Sequence, residues 1–506
     1  MLERSKAYLF FGAFSSRGIT VKEFDVVFFH PPRVFDDVPH QAPFVPMGSF
    51  SLASMLSQNG FHVKMFNLSL YPTSSLQRKI ESLDSKIFAI DLHWAVHSEG
   101  AMRLAELCKR YHPSSLLVIG GFAATWFNTQ ILDKYPSVDV VVLGEGEEPL
   151  LNVTRAFLSN KKNFDGIDGI SYRERNSIRH NPIRSPLDSL DQLDFVDLSL
   201  MDEWKKYIKT DSAGYRESLA SSFWLPIARG CTNDCVFCGG GRTSYELFSK
   251  RKRCIFRSTT RIADEVRRLY DQGVLTIRFS HDPEIGSRKY CLEVLSEIKK
   301  TGKDVSLYWE SFGLPSKVVL EEVSKVAFSA TIAISPESPS EEVRMRAGRN
   351  FTNDQLLRTI DICEELGVGL DVYFNPGLPG ETPEFSHLFK KMVDRIAGRL
   401  WTRIVPPVTI TLDPNCLMAI YPEKYDLKLW LNDFEDYRRM CSSRDLLDWI
   451  GYETPLLSRE RMLALLKEAD QYVSRVPQPL MRPQLNMTPS AWQKGYKRFQ
   501  KAVAKS

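Results

Sequence analysis

Short apolar stretches alternate with helical ones in two blocks of the chain, and this alternation limits the fold more than any other feature. In the first block, the stretches of strand length are 25–29, 62–67, 87–92, 116–119 and 138–143. Strands that are apolar on both faces and joined by helices are typical of a doubly wound parallel sheet. We therefore predict an α/β domain over residues 1–165, with ligands bound beyond the carboxyl ends of its strands.

The second block, over residues 221–412, repeats this alternation. Its strand candidates are 223–228, 275–280, 305–309, 329–334, 370–374 and 408–412. Six strand–helix units predict a partial (β/α)6 barrel with its active site at the carboxyl ends of the strands. Residues 166–220 interrupt the alternation and predict a connector. Residues 413–506 predict a helical C-terminal region.

The composition favours a cytoplasmic protein that does not bind nucleic acid. The 506 residues exceed a single core, and a net charge of +4 gives no reason to expect a basic binding surface. No apolar run approaches the roughly 18 residues that would span a bilayer, and the first residues lack the order of a signal peptide. The nine cysteines are an odd count, which favours metal ligands or core thiols over a disulfide framework.

Three cysteines follow the first strand of the second block at the spacing of metal ligands: Cys231, Cys235 and Cys238. Three thiolates can hold three irons of a [4Fe–4S] cubane and leave the fourth iron open, whereas a ferredoxin site would need a fourth cysteine. Zinc is the competing ligand, but it needs a fourth partner, and no histidine follows at zinc-finger spacing. The open iron therefore indicates that something other than the protein binds there.

This Cys-x3-Cys-x2-Cys pattern, with Phe237 before the last cysteine, resembles the signature of the radical S-adenosylmethionine (SAM) superfamily. The resemblance implies that SAM chelates the open iron and is cleaved to a 5′-deoxyadenosyl radical. It extends to the pair Glu337-Ser338, implied near the SAM ribose, and to residues 377–381 near the adenine. The implied SAM and cluster contacts are Phe237, Gly239, Gly240, Glu337, Ser338, Gly377, Pro379 and Gly380. Arg344 and Arg346 could reach the SAM carboxylate or lie on a solvated helix face.

Several loops of the first block resemble the cobalamin-binding domain that precedes many radical SAM barrels. The residues implied in cofactor binding are Pro46, Gly48, Trp94, Gly120, Gly121, Thr125, Gly144, Glu145, Gly146 and Glu147. The glycines would let the corrin ring approach the backbone. The histidine motif that ligates cobalt in other cobalamin domains is missing, so we expect no lower axial histidine. If a histidine does ligate cobalt, the two candidates are His30 and His93. Alternatively, the sheet has lost cobalamin and only shapes the substrate site.

The combined pattern most resembles the cobalamin-dependent radical SAM class, and within it a poorly characterised archaeal-type group. The resemblance implies methyl transfer to an unactivated carbon of a small-molecule or lipid substrate, with an electron donor such as ferredoxin or flavodoxin. One alternative is carbon–carbon bond or ring formation on an archaeal membrane lipid, as in tetraether ring synthases. Another is a non-catalytic iron–sulfur sensor, which would not need the Glu337-Ser338 pair. The tail after Pro483 combines basic and aromatic residues, so it predicts either peripheral membrane contact or a solvated terminal helix.

Overall fold

A computed structural model describes residues 23–35, 44–160, 163–175, 177–183, 186–210 and 221–477. Its first sheet has the strand order β2-β1-β3-β4-β5-β6-β7. The strands are β1 Glu23–His30, β2 Val63–Asn67, β3 Asp84–Asp91, β4 Leu116–Gly120, β5 Val140–Val142, β6 Ile170–Glu174 and β7 Ser177–His180. The first five are parallel, which confirms the predicted α/β sheet.

Helices cover both faces of this sheet. They are α1 Met47–Gln58, α2 Thr73–Glu81, α3 Ser98–Tyr111, α4 Phe122–Trp126, α5 Asn128–Lys134 and α6 Glu147–Leu158, with short 3-10 helices at Leu68–Leu70 and Ala95–His97. The buried apolar residues of β1 divide between two core clusters, Val26 and Phe28 in one and Val27 and Phe29 in the other. Alternate residues of a strand point to opposite faces, so the sheet is buried on both sides as its apolar strands require.

The segment predicted as a connector also contributes to the first sheet. The strands β6 and β7 form an antiparallel hairpin that extends the sheet beyond β5. The rest of the segment contains a 3-10 helix, Leu198–Leu200, and the short helix α7, Trp204–Tyr207. Phe195 and Val196 are buried in the core cluster that also contains Phe50 of the first domain and Phe223 of the barrel. The two domains therefore share one apolar core.

The second sheet is a six-stranded parallel barrel wall with the order β15-β14-β13-β12-β11-β8. The strands are β8 Ser222–Leu225, β9 Ala228–Arg229, β10 Ile255–Phe256, β11 Thr276–Phe279, β12 Ser306–Ser311, β13 Ser329–Glu337, β14 Gly369–Phe374 and β15 Thr402–Val405, of which β9 and β10 form a separate antiparallel pair. The prediction of a sixth strand over 408–412 was wrong, because the strand lies at 402–405. Pro406 and Pro407 follow it and cannot donate to a β ladder.

Helices connect the barrel strands and cover the outer face. They are α8 Arg242–Ser249, α9 Thr259–Asp271, α10 Arg288–Lys300, α11 Lys317–Val326, α12 Glu341–Arg346, α13 Asn353–Leu366 and α14 Phe385–Ile396. The start of α13 is fixed by a capping box, in which the Thr352 side chain accepts from the Gln355 backbone and the Gln355 side chain accepts in return. Gly367, in the left-handed region, ends this helix before β14.

The C-terminal region is mostly helical, as predicted, and it returns to the first domain. It comprises α15 Leu417–Ile420, β16 Lys428–Leu429, α16 Phe434–Ser442, β17 Tyr452–Glu453 and α17 Arg459–Val473, with 3-10 helices at Pro422–Tyr425 and Leu446–Trp449. Phe434 packs on Phe127 of the first domain, and the Arg438 guanidinium donates to Glu99 on α3. The basic tail after Pro483 lies outside the described residues. No helix among the described residues has the length and apolar character needed to cross a membrane.

Candidate active site

A cavity of about 500 Å³ lies where the carboxyl ends of the first sheet face the barrel. Its volume is in the range of sites that bind small molecules and cofactors. The barrel contributes Trp224, Pro226, Ala228, Arg229, Tyr245, Ser280 and His281 to the wall. The first domain contributes all of the residues implied in cobalamin binding except Thr125: Pro46, Gly48, Trp94, Gly120, Gly121, Gly144, Glu145, Gly146 and Glu147.

Thr125 lies behind the cavity wall and fixes two of its loops. The Thr125 hydroxyl donates to the carbonyl oxygen of Gly121 at 2.8 Å and accepts from the amide of Gly144 at 3.0 Å. The carboxyl ends of β4 and β5 are therefore held together by one buried side chain. We infer that Thr125 acts on a ligand only through these loops.

Glycine stands at these positions of the cavity wall for different physical reasons. A Cβ at Gly48 would meet no atom within 4 Å, so this glycine leaves open space on the cavity side. A Cβ at Gly121 would lie 2.6 Å from the His93 amide nitrogen, and one at Gly144 would lie 2.8 Å from the Phe248 carbonyl oxygen. At positions 121 and 144, packing between protein segments already requires glycine. Room for a corrin ring, expected for all of them, explains only Gly48 among these three.

Of the two histidine candidates for cobalt, only His93 reaches the cavity. Its ring stacks on Phe122 with 4.7 Å between centroids, and burial lowers the pKa of His93 to about 4, so the imidazole is neutral at pH 7. His30 is 2% exposed, and its Nδ1 lies 2.9 Å from Asp91 Oδ2. His30 is therefore held beneath the cavity by Asp91, which itself lines the wall.

The cysteine triad lies on the loop between β9 and α8. The Cys231 sulfur accepts from the Asn233 amide and the Cys238 sulfur accepts from the Gly240 amide, both at 3.3 Å. Among the described residues, no three His, Cys, Asp or Glu side chains are arranged to enclose a single metal ion. A cubane cluster binds each thiolate through a different iron, so its ligands need not converge on one point. The donor set, three thiols on one short loop, therefore fits a cubane.

The C-terminal region binds the cysteine loop through hydrogen bonds. This contact was not predicted from the sequence. The Asn415 amide donates to the Gly239 carbonyl oxygen, and Asp413 accepts from the Gly239 amide. A Cβ at Gly239 would lie 2.8 Å from Asp413 Oδ2, so only glycine fits there. Burial raises the pKa of Asp413 to about 6. The only sequence signal was a polar Asp-Pro-Asn turn directly after the apolar stretch 408–412.

The structure brings together the two segments implied in SAM binding. Glu337 has φ +63°, and its carboxylate accepts from the Asn375 amide at 2.7 Å. The Ser338 hydroxyl donates to Glu381 Oε1 at 3.1 Å. The Tyr452 hydroxyl, from the C-terminal region, donates to the Gly377 carbonyl oxygen at 2.8 Å. The ends of β13 and β14 are thus joined by buried hydrogen bonds beside the barrel mouth.

The two arginines considered for the SAM carboxylate lie on opposite sides of α12. Arg344 is buried and donates to the carbonyl oxygens of Ser338 and Phe351, while the exposed Arg346 pairs with Glu342. A Cβ at Gly380 would lie 3.3 Å from Arg346 Nη1, so this guanidinium is beside a segment implied in SAM binding. A contact between Arg346 and SAM therefore stays a prediction, and the alternative of a solvated helix face fits the exposure of Arg346.

Arg349, three residues beyond α12, lies beside the cysteine loop instead. Its guanidinium is 5.9 Å from the centre of the Phe237 ring and donates to the Phe312 carbonyl oxygen at 2.8 Å. Burial raises the pKa of the Cys235 thiol, and the charge of Arg349 opposes this rise. A Cβ at Gly348 would lie 3.2 Å from Cys235 Cα, which explains how this arginine comes so close. The adjacent Gly348-Arg349 pair was the signal that sequence reasoning overlooked.

The comparisons with known proteins agree with this geometry. Residues 225–392 match the family described as the Radical SAM superfamily, and residues 41–154 match the B12 binding domain. A Pyrococcus horikoshii protein named as an uncharacterized methyltransferase is 26% identical over 344 residues, which cover 67% of this chain and 71% of that protein. The anaerobic magnesium-protoporphyrin IX monomethyl ester cyclase of Rubrivivax gelatinosus is 25% identical over 56% of this chain, which spans 50% of the cyclase.

Solved structures share the whole architecture. The radical SAM methyltransferase TsrM of Kitasatospora setae superposes with a TM-score of 0.64 at 15% identity, covering 95% of this chain and 99% of TsrM. The cobalamin-dependent enzyme OxsB gives a TM-score of 0.60 at 14% identity over 87% of this chain and 66% of OxsB. At such identities the likeness concerns the fold. The two family matches show that this chain combines a radical SAM domain with a B12-binding domain, and that it is an enzyme which uses a [4Fe–4S] cluster, SAM and cobalamin.

Proposed function

We propose that the protein transfers a methyl group from SAM to an unactivated carbon of a small molecule. The observation that carries this proposal is the shared cavity, whose walls come from both the B12-binding loops and the barrel mouth. A methyl carrier in the first domain and a radical generated in the barrel must act on the same carbon. A cavity between the two domains is the arrangement that such a reaction needs.

In this proposal, Cys231, Cys235 and Cys238 are the cluster ligands. When bound, the cluster and SAM supply a radical that removes a hydrogen atom, and cobalamin supplies the methyl group. Asp413 and Asn415 hold the cysteine loop through Gly239, which is itself buried. The loop then presents the thiols at a fixed place beside the barrel mouth.

Arg349 is the best-placed residue of the barrel for the SAM carboxylate. Its charge lies beside Cys235 and Glu337, and carboxylates pair favourably with a guanidinium fork. Glu337 and Ser338 would hold the ribose, and residues 377–380 would contact the adenine. The backbone of Gly377, φ +116°, is held by Tyr452, so this contact surface is preformed.

The partners in this proposal are a small-molecule substrate and a one-electron donor such as ferredoxin or flavodoxin. Peripheral membrane contact through the tail after Pro483 is a further part of it. The support for membrane contact is the sequence of the tail alone, with its lysines beside aromatic residues. Deleting residues 483–506 and measuring binding to anionic vesicles tests this part separately.

The deciding experiment is anaerobic turnover of the cluster-loaded protein with SAM deuterated at the methyl group. Candidate substrates come from metabolite extracts of the source organism. Methyl transfer predicts a product that is heavier by a deuterated methyl group, with both S-adenosylhomocysteine and 5′-deoxyadenosine formed. A product lighter than its substrate by hydrogen would mean ring closure, and formation of 5′-deoxyadenosine alone would also contradict methyl transfer.

A further inference from the structure

Four charged side chains, of which two are buried and two are nearly so, connect the B12-binding domain to the strand that leads into the cysteine triad. Arg229 donates to Glu145 Oε2 at 2.9 Å and to Glu147 Oε1 at 2.7 Å. Arg251 donates to the two Glu145 oxygens at 2.5 and 2.9 Å. The side chains of Arg229, Glu145, Glu147 and Arg251 are 14%, 10%, 4% and 3% exposed. We call these four residues the ionic bridge.

The arginines of the ionic bridge contact the backbone that carries the cluster ligands. Arg229 is the last residue of β9, and only Gly230 separates it from Cys231. A Cβ at Gly230, φ +95°, would lie 3.0 Å from Arg251 Cδ, so Arg251 packs directly on this glycine. His281 Nε2 lies 2.5 Å from the Gly230 carbonyl oxygen and therefore donates to it.

The loop that carries both glutamates also contacts the end of the helix that follows the cysteine loop. This loop, residues 144–147, lines the cavity. Its Gly144 packs against the carbonyl oxygen of Phe248 and Cα of Ser249, at the end of α8, the helix that follows the triad. The loop is thus fixed to protein segments before and after the three cysteines, and these contacts leave little freedom to move one without the other.

The chemistry of the ionic bridge favours positioning over stability. Burying charges is energetically costly, and apolar residues of similar volume are often as stabilising as a buried ion pair. An arginine fork that bonds two carboxylates instead fixes distances and angles, which lysine cannot do in the same way. The ionic bridge joins the cavity wall to the cysteine loop, so these are the two parts of the site whose geometry it fixes.

We propose that the ionic bridge couples the two cofactor sites, with Arg229 as the positioning residue. Cobalamin in the cavity and SAM at the cluster then favour the same arrangement of residues 144–147 and 229–231. This inference rests on the proposed function, because it requires both cofactors. Coupling is reciprocal, so SAM must tighten cobalamin binding by the same factor by which cobalamin tightens SAM binding.

The test is the dissociation constant of cobalamin, measured anaerobically by absorbance on the cluster-loaded full chain with and without SAM. In the unchanged protein we expect SAM to tighten cobalamin binding by roughly fivefold or more. Arg229→Lys keeps the charge but loses the fork, and Glu145→Gln removes the shared carboxylate, so in both the factor should fall to about one. Arg242→Gln is the matched control, because this exposed arginine at the start of α8 pairs with Asp234 of the cysteine loop and not with the first domain.

The electron paramagnetic resonance (EPR) spectrum of the reduced cluster is a second measure of the coupling between the two sites. Adding cobalamin should change it in the unchanged protein and in Arg242→Gln, but not in Arg229→Lys. An unchanged coupling factor in Arg229→Lys, or no effect of SAM in the unchanged protein, overturns the inference. If Glu145→Gln fails to hold its cluster, Arg229→Lys alone decides. A retained methyl product with no coupling contradicts only this inference, whereas coupling without methyl product contradicts only the proposed function.

Discussion

Replacing Glu381 with Gln should stabilise the protein at neutral and alkaline pH. Glu381 is 1% exposed, and burial raises its pKa from 4.5 to about 8, against a smaller lowering effect of the hydrogen bond from Ser338. The folded state therefore keeps a proton that the unfolded state releases as pH rises above 4.5. Stability is lost between these two values, and the loss corresponds to about 3 kcal/mol at pH 7 and about 5 kcal/mol above pH 8. Glutamine cannot ionise, so Glu381→Gln avoids this loss and still accepts from Ser338.

The assay is urea unfolding of the full chain from pH 5 to pH 9, followed by intrinsic fluorescence. The advantage of Glu381→Gln over the unchanged protein should be about 1 kcal/mol at pH 5, grow up to pH 8 and then level off. Glu384→Gln, an exposed carboxyl three residues further on, is the matched control for the loss of a charge. If the two unfolding midpoints differ by a constant amount at every pH, or if Glu381→Gln is the weaker protein at pH 8, the reasoning is refuted.

Four further outcomes test the site. Cys235→Ala should abolish 5′-deoxyadenosine formation, whereas Cys108→Ala, in the core of the first domain, should only cost about 1–2 kcal/mol of stability. Gly48→Trp should remove cobalamin absorbance after reconstitution, because the indole would fill the open space beside Gly48, which Gly121 and Gly144 lack. The EPR spectrum of bound cob(II)alamin should show no nitrogen coupling from the protein, and a coupling that disappears in His93→Ala would contradict this. Arg349→Gln should raise the KM for SAM at least roughly tenfold while leaving the iron content unchanged.

The fold followed from local patterns because both domains are built from repeating strand–helix units. Apolar strands such as 138–143 are recognisable from their own residues, without knowledge of distant segments. The pairing of the hairpin of β6 and β7 with the first sheet was not predicted, because its strands are short and β7 is largely exposed. The last barrel strand was placed six residues too late because the apolar stretch after Pro406 and Pro407 looked more like a strand than Thr402–Val405.

The site residues were predictable where a loop follows a strand and unpredictable where distant segments meet. Gly48, at the start of α1, and His93, in the loop after β3, lie at the edge where the parallel strands end, so their position at the cavity followed from the strand order. Asp413 and Asn415 could not be assigned, because their role depends on a C-terminal segment folding back onto Gly239. Arg349 differs, since its neighbour Gly348 marks a close approach of two backbones.

The two glutamates of the ionic bridge show most clearly what a sequence resemblance leaves open. Glu145 and Glu147 were assigned to the cofactor because they stand in a glycine-rich loop after a parallel strand. In the structure both carboxylates face Arg229, and that of Glu145 also faces Arg251. These arginines lie more than eighty residues further along the chain. The Glu145 carboxylate, held by both guanidinium groups, has little capacity left for a ligand. Loss of Glu145 should therefore be felt first at the cysteine loop and only through it at the cavity. Glu147 differs, because Arg229 and Ser51 both bond its Oε1 and its buried Oε2 has no partner among the described residues.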